Sequence, residues 1–172
     1  MPQHLPPVGQ AAIAVAGRGV RAGVETRCAG GHSQVLRCHP VRDATGGPQP
    51  FPTLFWLVCP EIHKRVSRLE AGGGVGTITA RVRADPELRA RVHADHRAYQ
   101  DERWELLSVT ERTWARESGV LHVFRERGIG GIRNWDAVKC LHLHYAHHLA
   151  RGSATGELIE SLAGGPVQCR AR

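Results

Sequence analysis

The sequence predicts an α+β fold, in which a small antiparallel sheet from the N-terminal third is covered by three or four helices. Short apolar and β-branched runs bounded by Gly and Pro lie before residue 60, and apolar residues at helical spacing follow them. The 172 residues, 41% of them hydrophobic, suit one domain with its own core. We expect a flexible lead-in at 1–17, a globular domain over 18–163 and a C-terminal tail at 164–172.

Three strands are predicted in the first third of the chain. Residues 20–27 and 34–39 flank a Cys-Ala-Gly-Gly-His turn whose two glycines supply the positive φ of a tight reversal, so they form a hairpin. After a Gly-Gly-Pro-Gln-Pro loop, the apolar run 53–58 has the length of a buried strand. This third strand ends at Cys59.

Helices are predicted for most of the remainder. Pro60 suits the first turn of a helix that ends at the glycines after residue 71, and Asp85 is a candidate N-cap of a long helix to about Leu107. Residues 110–127 predict one or two short helices, and 137–151 predict a final helix capped by Asn134 or Asp136. Residues 76–82 are interpreted as a further strand or an extended connection.

Charge and hydropathy narrow the classes of partner. The net charge of +7 comes from 23 basic and 16 acidic residues without a concentrated basic tract, and only nine residues are aromatic, so nucleic-acid binding is disfavoured. The longest apolar stretches have six residues, whereas a membrane-spanning helix needs about 20. The first ten residues contain no Lys or Arg, unlike a secretory signal. We therefore expect a cytoplasmic protein without a membrane partner.

Cysteine and histidine are the most informative residue types. Five cysteines make an odd number without an export signal, so buried thiols or metal ligands are expected rather than a disulfide framework. Four histidines lie between residues 142 and 148. Cys140, His144 and His147 are spaced i, i+4 and i+7, which puts them on one face of the last predicted helix. A metal or catalytic site, a solvated face and ordinary core packing all remain open for this face.

A metal centre is the leading functional hypothesis. Cys28 lies at the hairpin turn and Cys59 at a strand–helix junction, where backbone N–H groups stabilise a thiolate. With Cys140, and with His144 as the fourth ligand, they would hold zinc or an iron–sulfur cluster.

Catalysis would add proton transfer to that centre. In a small metal-dependent enzyme an open metal position would supply Lewis-acid or hydrolytic chemistry, and His147 or His142 would carry protons. The alternative is a non-catalytic interaction or regulatory module, with buried cysteines, that binds an acidic partner or nucleic acid.

Two further groups of residues are candidate binding sites. A glycine loop before the last predicted helix offers backbone N–H groups and a guanidinium to an anionic small molecule, and a plain turn is the alternative. Its residues are Gly130, Gly131 and Arg133. A row on the long helix would line a polar pocket or form a hydrogen-bonded surface row. Its residues are His96, Tyr99 and Arg103.

Several longer motifs together resemble a known family. They are Arg27-Cys28-x-x-Gly31, the run from Pro50 to Pro60, Leu69-Glu70-Ala71-Gly72, His96-x-x-Tyr99-x-x-x-Arg103, Gly130-Gly131-Ile132 and the run from Lys139 to His147. Over about residues 18–160 the chain resembles the bacterial domain-of-unknown-function family numbered 501. The resemblance implies a small bacterial cytoplasmic protein, frequent in actinobacteria, with no established activity.

The resemblance also indicates which cysteines belong to the family pattern. It implies that Cys28, Cys59 and Cys140 belong to the family pattern and that Cys38 does not. The chain departs from the pattern in its histidine-bearing turn after Cys28 and at residues 154–156.

Overall fold

The computed structural model describes residues 19–169, so the predicted lead-in at 1–17 lies outside the described residues. Four strands form one antiparallel sheet. They are β1 (Val20–Arg27), β2 (Ser33–Ala44), β3 (Gly47–Pro50) and β4 (Phe55–Leu57). The long strand β2 pairs with β1 along one edge. On its other edge β2 pairs first with β4, where Leu36 is opposite Trp56, and then with β3, where Val41 is opposite Pro50.

Seven α-helices follow the sheet within the described residues. They are α1 (Pro60–Ala71), α2 (Gly74–Ala84), α3 (Pro86–Glu105), α4 (Val109–Glu117), α5 (Leu121–Arg125), α6 (Leu141–Arg151) and α7 (Ala154–Ala163). The predicted α+β class is confirmed, although three or four helices were expected. The Asp85 carboxylate accepts the N–H groups of Glu87 and Leu88 and caps α3, as predicted.

Local signals failed at three elements. Residues 76–82 are helical because Gly74, Ile78 and Val82 are buried at i, i+4 and i+8, so packing outweighs the weak helix propensity of their β-branched neighbours. Strand β3 lies in the predicted proline-rich loop, and α7 was not predicted at all.

The last predicted helix also begins later than expected. Cys140 is extended, with φ −156° and ψ 125°, and α6 starts at Leu141 rather than at residue 137. Neither of the predicted caps, Asn134 and Asp136, caps α6. The Asn134 side chain accepts the N–H of Asp136 within a turn, and the Asp136 carboxylate contacts His93 instead.

The main core lies between the sheet and the helices, and α6 runs through it against β4, α1 and α7. Its buried residues include Val35, Leu54, Phe55, Ile62, Val66, Ile78, Val92, Leu141, Tyr145 and Ile159. A second cluster that includes Leu36 and Cys38 is built from residues that alternate with the first along β2, so it lies on the other face of the sheet.

The segment 164–169, expected as part of a tail, returns to the core. Val167 is only 2% exposed, and its N–H donates to the hydroxyl of Tyr145. Among the described residues, none of the helices combines the length and apolar character needed to cross a membrane.

Candidate metal centre

The end of α1 and the start of α6 meet through one carboxylate. Glu70, in the last turn of α1, accepts the backbone N–H of Leu141 at 2.5 Å. Cys140 makes no side-chain cap, so Glu70 supplies the acceptor that the first turn of α6 needs. This contact joins residues 71 positions apart and fixes the side chains on both sides of the joint.

Three different ligand atoms converge at this joint. The Nδ1 atom of His142 lies 3.8 Å from the Sγ atom of Cys140 and 3.2 Å from the Oε2 atom of Glu70. One ligand atom from each residue lies within 4.8 Å of the other two, and all three residues are half-buried. The group presents a thiol, an imidazole and a carboxylate, which are the three side-chain ligand types of zinc.

The other nitrogen of His142 faces away from the group. Its Nε2 atom lies 3.2 Å from the carbonyl oxygen of His63 and 3.1 Å from the hydroxyl of Ser67. The Ser67 hydroxyl donates to the same carbonyl, and a carbonyl only accepts, so Nε2 carries the proton. In the neutral imidazole Nδ1 therefore directs its lone pair toward Cys140 and Glu70.

Burial and neighbouring groups decide which members of the group are charged. Burial alone would raise the pKa of Glu70, but the N–H of Leu141 and, in its protonated form, the neighbouring His142 hold it below its ordinary value. Burial raises the pKa of the Cys140 thiol, and the Glu70 carboxylate adds to the shift. Without a cation Cys140 is a protonated thiol beside an anionic carboxylate, and a bound cation reverses that preference.

A second group of ligand atoms lies at the hairpin turn. The Sγ atom of Cys28 lies 3.5 Å from Nδ1 of His32, and one ligand atom from each of Cys28, His32 and Cys169 lies within 4.8 Å of the others. Partial burial opposes ionisation of Cys28, but hydrogen bonds with His32 and Cys169 lower its pKa to about 7. A thiol with this pKa is about half ionised at neutral pH.

The predicted set of four ligands does not appear as one group in the structure. Cys140 and Cys28 lie in two different groups, and no group of three ligand atoms in residues 19–169 contains Cys59 or His144. Cys59 is buried in the main core as the residue before α1. Because α6 begins at Leu141, Cys140 does not share a helix face with His144 and His147.

The two remaining histidines of that predicted face are buried with a third. His144 lies against His96, with ring centroids 5.8 Å apart, and His147 packs on the ring of Phe55. Burial lowers the pKa values of His96 and His144 to about 3 and that of His147 to about 4. His147, a candidate proton carrier, therefore lies inside the protein, whereas His142 lies in the Glu70 group.

The predicted row of His96, Tyr99 and Arg103 is also internal. Arg103 is fully buried and donates to the carbonyls of Phe124, Pro52 and Arg127, and its Nη2 atom lies 2.8 Å from the Phe124 oxygen. The Tyr99 hydroxyl accepts the N–H of Leu54 at 2.5 Å. Burial lowers the pKa of Arg103 to about 10, so it stays charged and holds two main-chain segments, at Pro52 and at 124–127, on α3.

The glycine loop is a folded turn in this structure. The N–H of Gly131 donates to the carbonyl of Gly128, and the Arg133 side chain is exposed. No helix begins at Asp136, so the helix N-terminus expected beside this loop lies at Leu141 instead. Anion binding by Gly130, Gly131 and Arg133 stays a prediction.

Sequence reasoning missed Glu70, His32 and Cys169 as members of the two groups. Glu70 stands in one of the runs that carry the family resemblance, which was the signal available for it. His32 stands four residues after Cys28, a spacing that zinc ligands use. Cys169 has no local signal, because its position depends on how the C-terminal segment packs.

Comparison with known proteins supports the resemblance. The pattern of the family described as a protein of unknown function, DUF501, matches residues 24–160. The match covers most of the chain, which therefore belongs to this family. No curated protein and no solved structure gave a significant match.

Proposed function

We propose that the chain is a metal-binding protein and that Glu70, Cys140 and His142 hold a zinc ion. The observation that carries the proposal is the convergence of three unlike ligand atoms within 4.8 Å from two segments distant in the chain. Both segments belong to runs through which the sequence resembles its family. The proposal accounts for why a thiol and a carboxylate are placed together at a helix joint.

The distances suit a tetrahedral ion. Zinc bonds of about 2.3 Å to sulfur and about 2.0–2.1 Å to nitrogen or oxygen put neighbouring ligand atoms about 3.3–3.6 Å apart. The separations from His142 Nδ1 are 3.8 Å to Cys140 Sγ and 3.2 Å to Glu70 Oε2. Movements of a few tenths of an ångström would complete the geometry. The Nε2–H of His142, bonded to a carbonyl, is the outer contact typical of a metal-bound imidazole.

Zinc fits this group better than an iron–sulfur cluster. Such clusters are held mainly by several thiolates, whereas this group offers one thiol and the second group two. A mixed set of one sulfur, one nitrogen and one oxygen matches the borderline softness of zinc.

Three protein ligands leave the fourth position open, which is the pattern of catalytic zinc sites. A zinc-bound water would supply hydroxide near neutral pH, so metal-assisted hydrolysis is the reaction class that we propose. His142 is then a ligand and not a proton carrier. His63, an exposed imidazole whose ring centroid lies 4.2 Å from that of His142, takes that role.

Metal analysis of the purified protein tests the proposal. The untagged, reduced chain should contain zinc, and Cys140→Ser and Glu70→Gln should each remove about one equivalent, because a missing ligand disrupts the site. Zinc should be measured by mass spectrometry after dialysis against a weak chelator.

Cys59→Ala is the matched control, because it removes a buried thiol that lies in neither group. It should keep the wild-type zinc content. Equal zinc contents in wild type and Cys140→Ser would overturn the proposal. A protein that takes up no zinc at all would favour the non-catalytic interaction module.

A further inference from the structure

The β1–β2 turn carries two side chains that can act as metal ligands. The N–H of Cys28 donates to the carbonyl of His32 at 3.0 Å, and the N–H of Gly31 donates to the carbonyl of Cys28 at 2.8 Å. Gly31 has a φ of +79°, which favours glycine and closes the loop tightly. This turn brings the Cys28 thiol and the His32 imidazole to the same side, 3.5 Å apart.

The third candidate ligand, the Cys169 thiol, comes from the far end of the described chain. Val167 is buried and bonds to the hydroxyl of Tyr145 on α6, and the carbonyl of Gln168 accepts from Arg65 on α1 at 3.1 Å. These contacts hold the C-terminal segment in place up to Cys169. The segment therefore delivers the Cys169 thiol to a turn about 140 residues earlier in the sequence.

We propose that Cys28, His32 and Cys169 form a second zinc site, separate from the Glu70–Cys140–His142 centre. Bonds of about 2.3 Å to sulfur and about 2.0 Å to nitrogen at the tetrahedral angle put the two atoms about 3.5 Å apart. The Cys28 Sγ to His32 Nδ1 distance is 3.5 Å. All three ligand atoms already lie within 4.8 Å of one another.

The donor set identifies the class of ion. Two thiols and one imidazole are soft to borderline ligands, which select zinc over magnesium or calcium. The Cys-x-x-x-His spacing lies in the range that zinc ligands use within one loop. A disulfide between the two cysteines would not need an imidazole at bonding distance, so the position of His32 favours a metal.

Ligation at this site would tie two ends of the fold together. The hairpin turn and the C-terminal segment come from opposite ends of the described chain and share no other ligand group. Metal binding would therefore hold the C-terminal segment against the sheet. This effect on the fold does not depend on the chemistry proposed at Cys140.

Zinc titration of the reduced apoprotein, against a chromophoric chelator, tests the second site. Wild type should bind about two equivalents, while Cys169→Ser and Cys140→Ser should each bind about one and the double variant none. Cys59→Ala should bind about two. His32→Ala should weaken one of the two sites at least tenfold. Cobalt should give stronger thiolate charge-transfer absorption in Cys140→Ser than in Cys169→Ser, because the second site holds two thiolates.

Three outcomes would overturn the second site. The first is that Cys169→Ser and His32→Ala bind as much zinc as wild type. The second is that wild type binds one equivalent, which Cys140→Ser abolishes. A Cys28–Cys169 disulfide in the isolated protein, with no uptake at this site after reduction, would show a redox pair instead. His32 lies in an exposed turn, so its variant keeps the test valid if Cys169→Ser fails to fold. Loss of zinc in Cys140→Ser alone bears only on the other centre.

Discussion

Three imidazoles lie in the interior with ring nitrogens that lack a partner within the described residues. They are Nε2 of His96, both nitrogens of His144 and Nδ1 of His147. The Nδ1 atom of His96 accepts the N–H of Ile129, so its proton is on the unpartnered Nε2. An unsatisfied buried polar group costs about 1–3 kcal/mol, and a charged one costs more. The core is therefore stable only while these rings are neutral.

Stability should fall as the pH falls below the ordinary histidine pKa. The unfolded chain takes up protons near pH 6.5, whereas the folded pKa values are about 3 for His96 and His144 and about 4 for His147. Between these values the unfolded state binds more protons, so the free energy of unfolding drops by about 1.4 kcal/mol per pH unit for each histidine. Urea unfolding at pH 7.5, 6 and 5 should show the decline, with little change above pH 7 from these groups.

A single substitution isolates one of the three contributions. His144→Leu replaces a fully buried imidazole by an apolar side chain of similar volume. The free energy of unfolding should then fall less steeply below pH 6.5, because unfolding takes up about one proton fewer. An identical pH dependence in the variant and the wild type would show that His144 is not buried and neutral as described.

At the scale of elements, the glycine loop matters because it covers His96. The N–H of Ile129 donates to His96 Nδ1 at 3.0 Å, and a Cβ atom on Gly128 would lie only 2.4 Å from the same nitrogen. The loop can approach α3 this closely only without a side chain at that position. Its glycines thus have a packing role, whether or not an anion binds there.

Gly128→Ala should destabilise the fold, by about 1–3 kcal/mol, because the added methyl group displaces His96 and its hydrogen bond. Gly76→Ala is the matched control, since Gly76 lies within α2 with open space around the added atom. It should be neutral or stabilise by up to about 1 kcal/mol. Thermal unfolding of both variants measures the difference, and equal melting temperatures would contradict the packing role.

Elements with strong local signals were predictable from the sequence. Pro60 at the start of α1 and Asp85 as the cap of α3 both act as the sequence indicates. The Ser108–Glu111 capping box likewise starts α4 one residue before the region predicted as short helices. Helix α2 was not predictable, because burial of Ile78 and Val82 decides it. The start of α6 depends on Glu70, a cap 71 residues away.

At the scale of the whole molecule, the sequence indicated some members of the two groups but not their partners. Cys28, Cys140 and His142 were all predicted as site residues, and each lies in one of the two groups. Their partners come from other segments, because the α1–α6 joint brings Glu70 to Cys140 and the returning C-terminal segment brings Cys169 to Cys28. No spacing within one segment encodes such contacts, and no group of three in residues 19–169 combines Cys28 or Cys140 with Cys59 or His144.

Both groups lie where separate parts of the chain meet, so zinc bound at them would add to the stability of the fold. A ligand that binds only the folded state raises the free energy of unfolding, by about 2.7 kcal/mol at a concentration 100 times its Kd. Zinc should therefore connect the sheet, α1, α6 and the C-terminal segment into one cooperative unit.

Anomalous diffraction at the zinc edge from crystals of the zinc-loaded, reduced protein tests the central claim most directly. The claim predicts an anomalous peak about 2.3 Å from Cys140 Sγ and about 2.0–2.2 Å from both His142 Nδ1 and a Glu70 carboxylate oxygen. A second peak is expected at Cys28 and Cys169, but it would not replace the peak at Cys140 as support for the claim. A fully zinc-loaded crystal with no anomalous density between Cys140, His142 and Glu70 would contradict the claim.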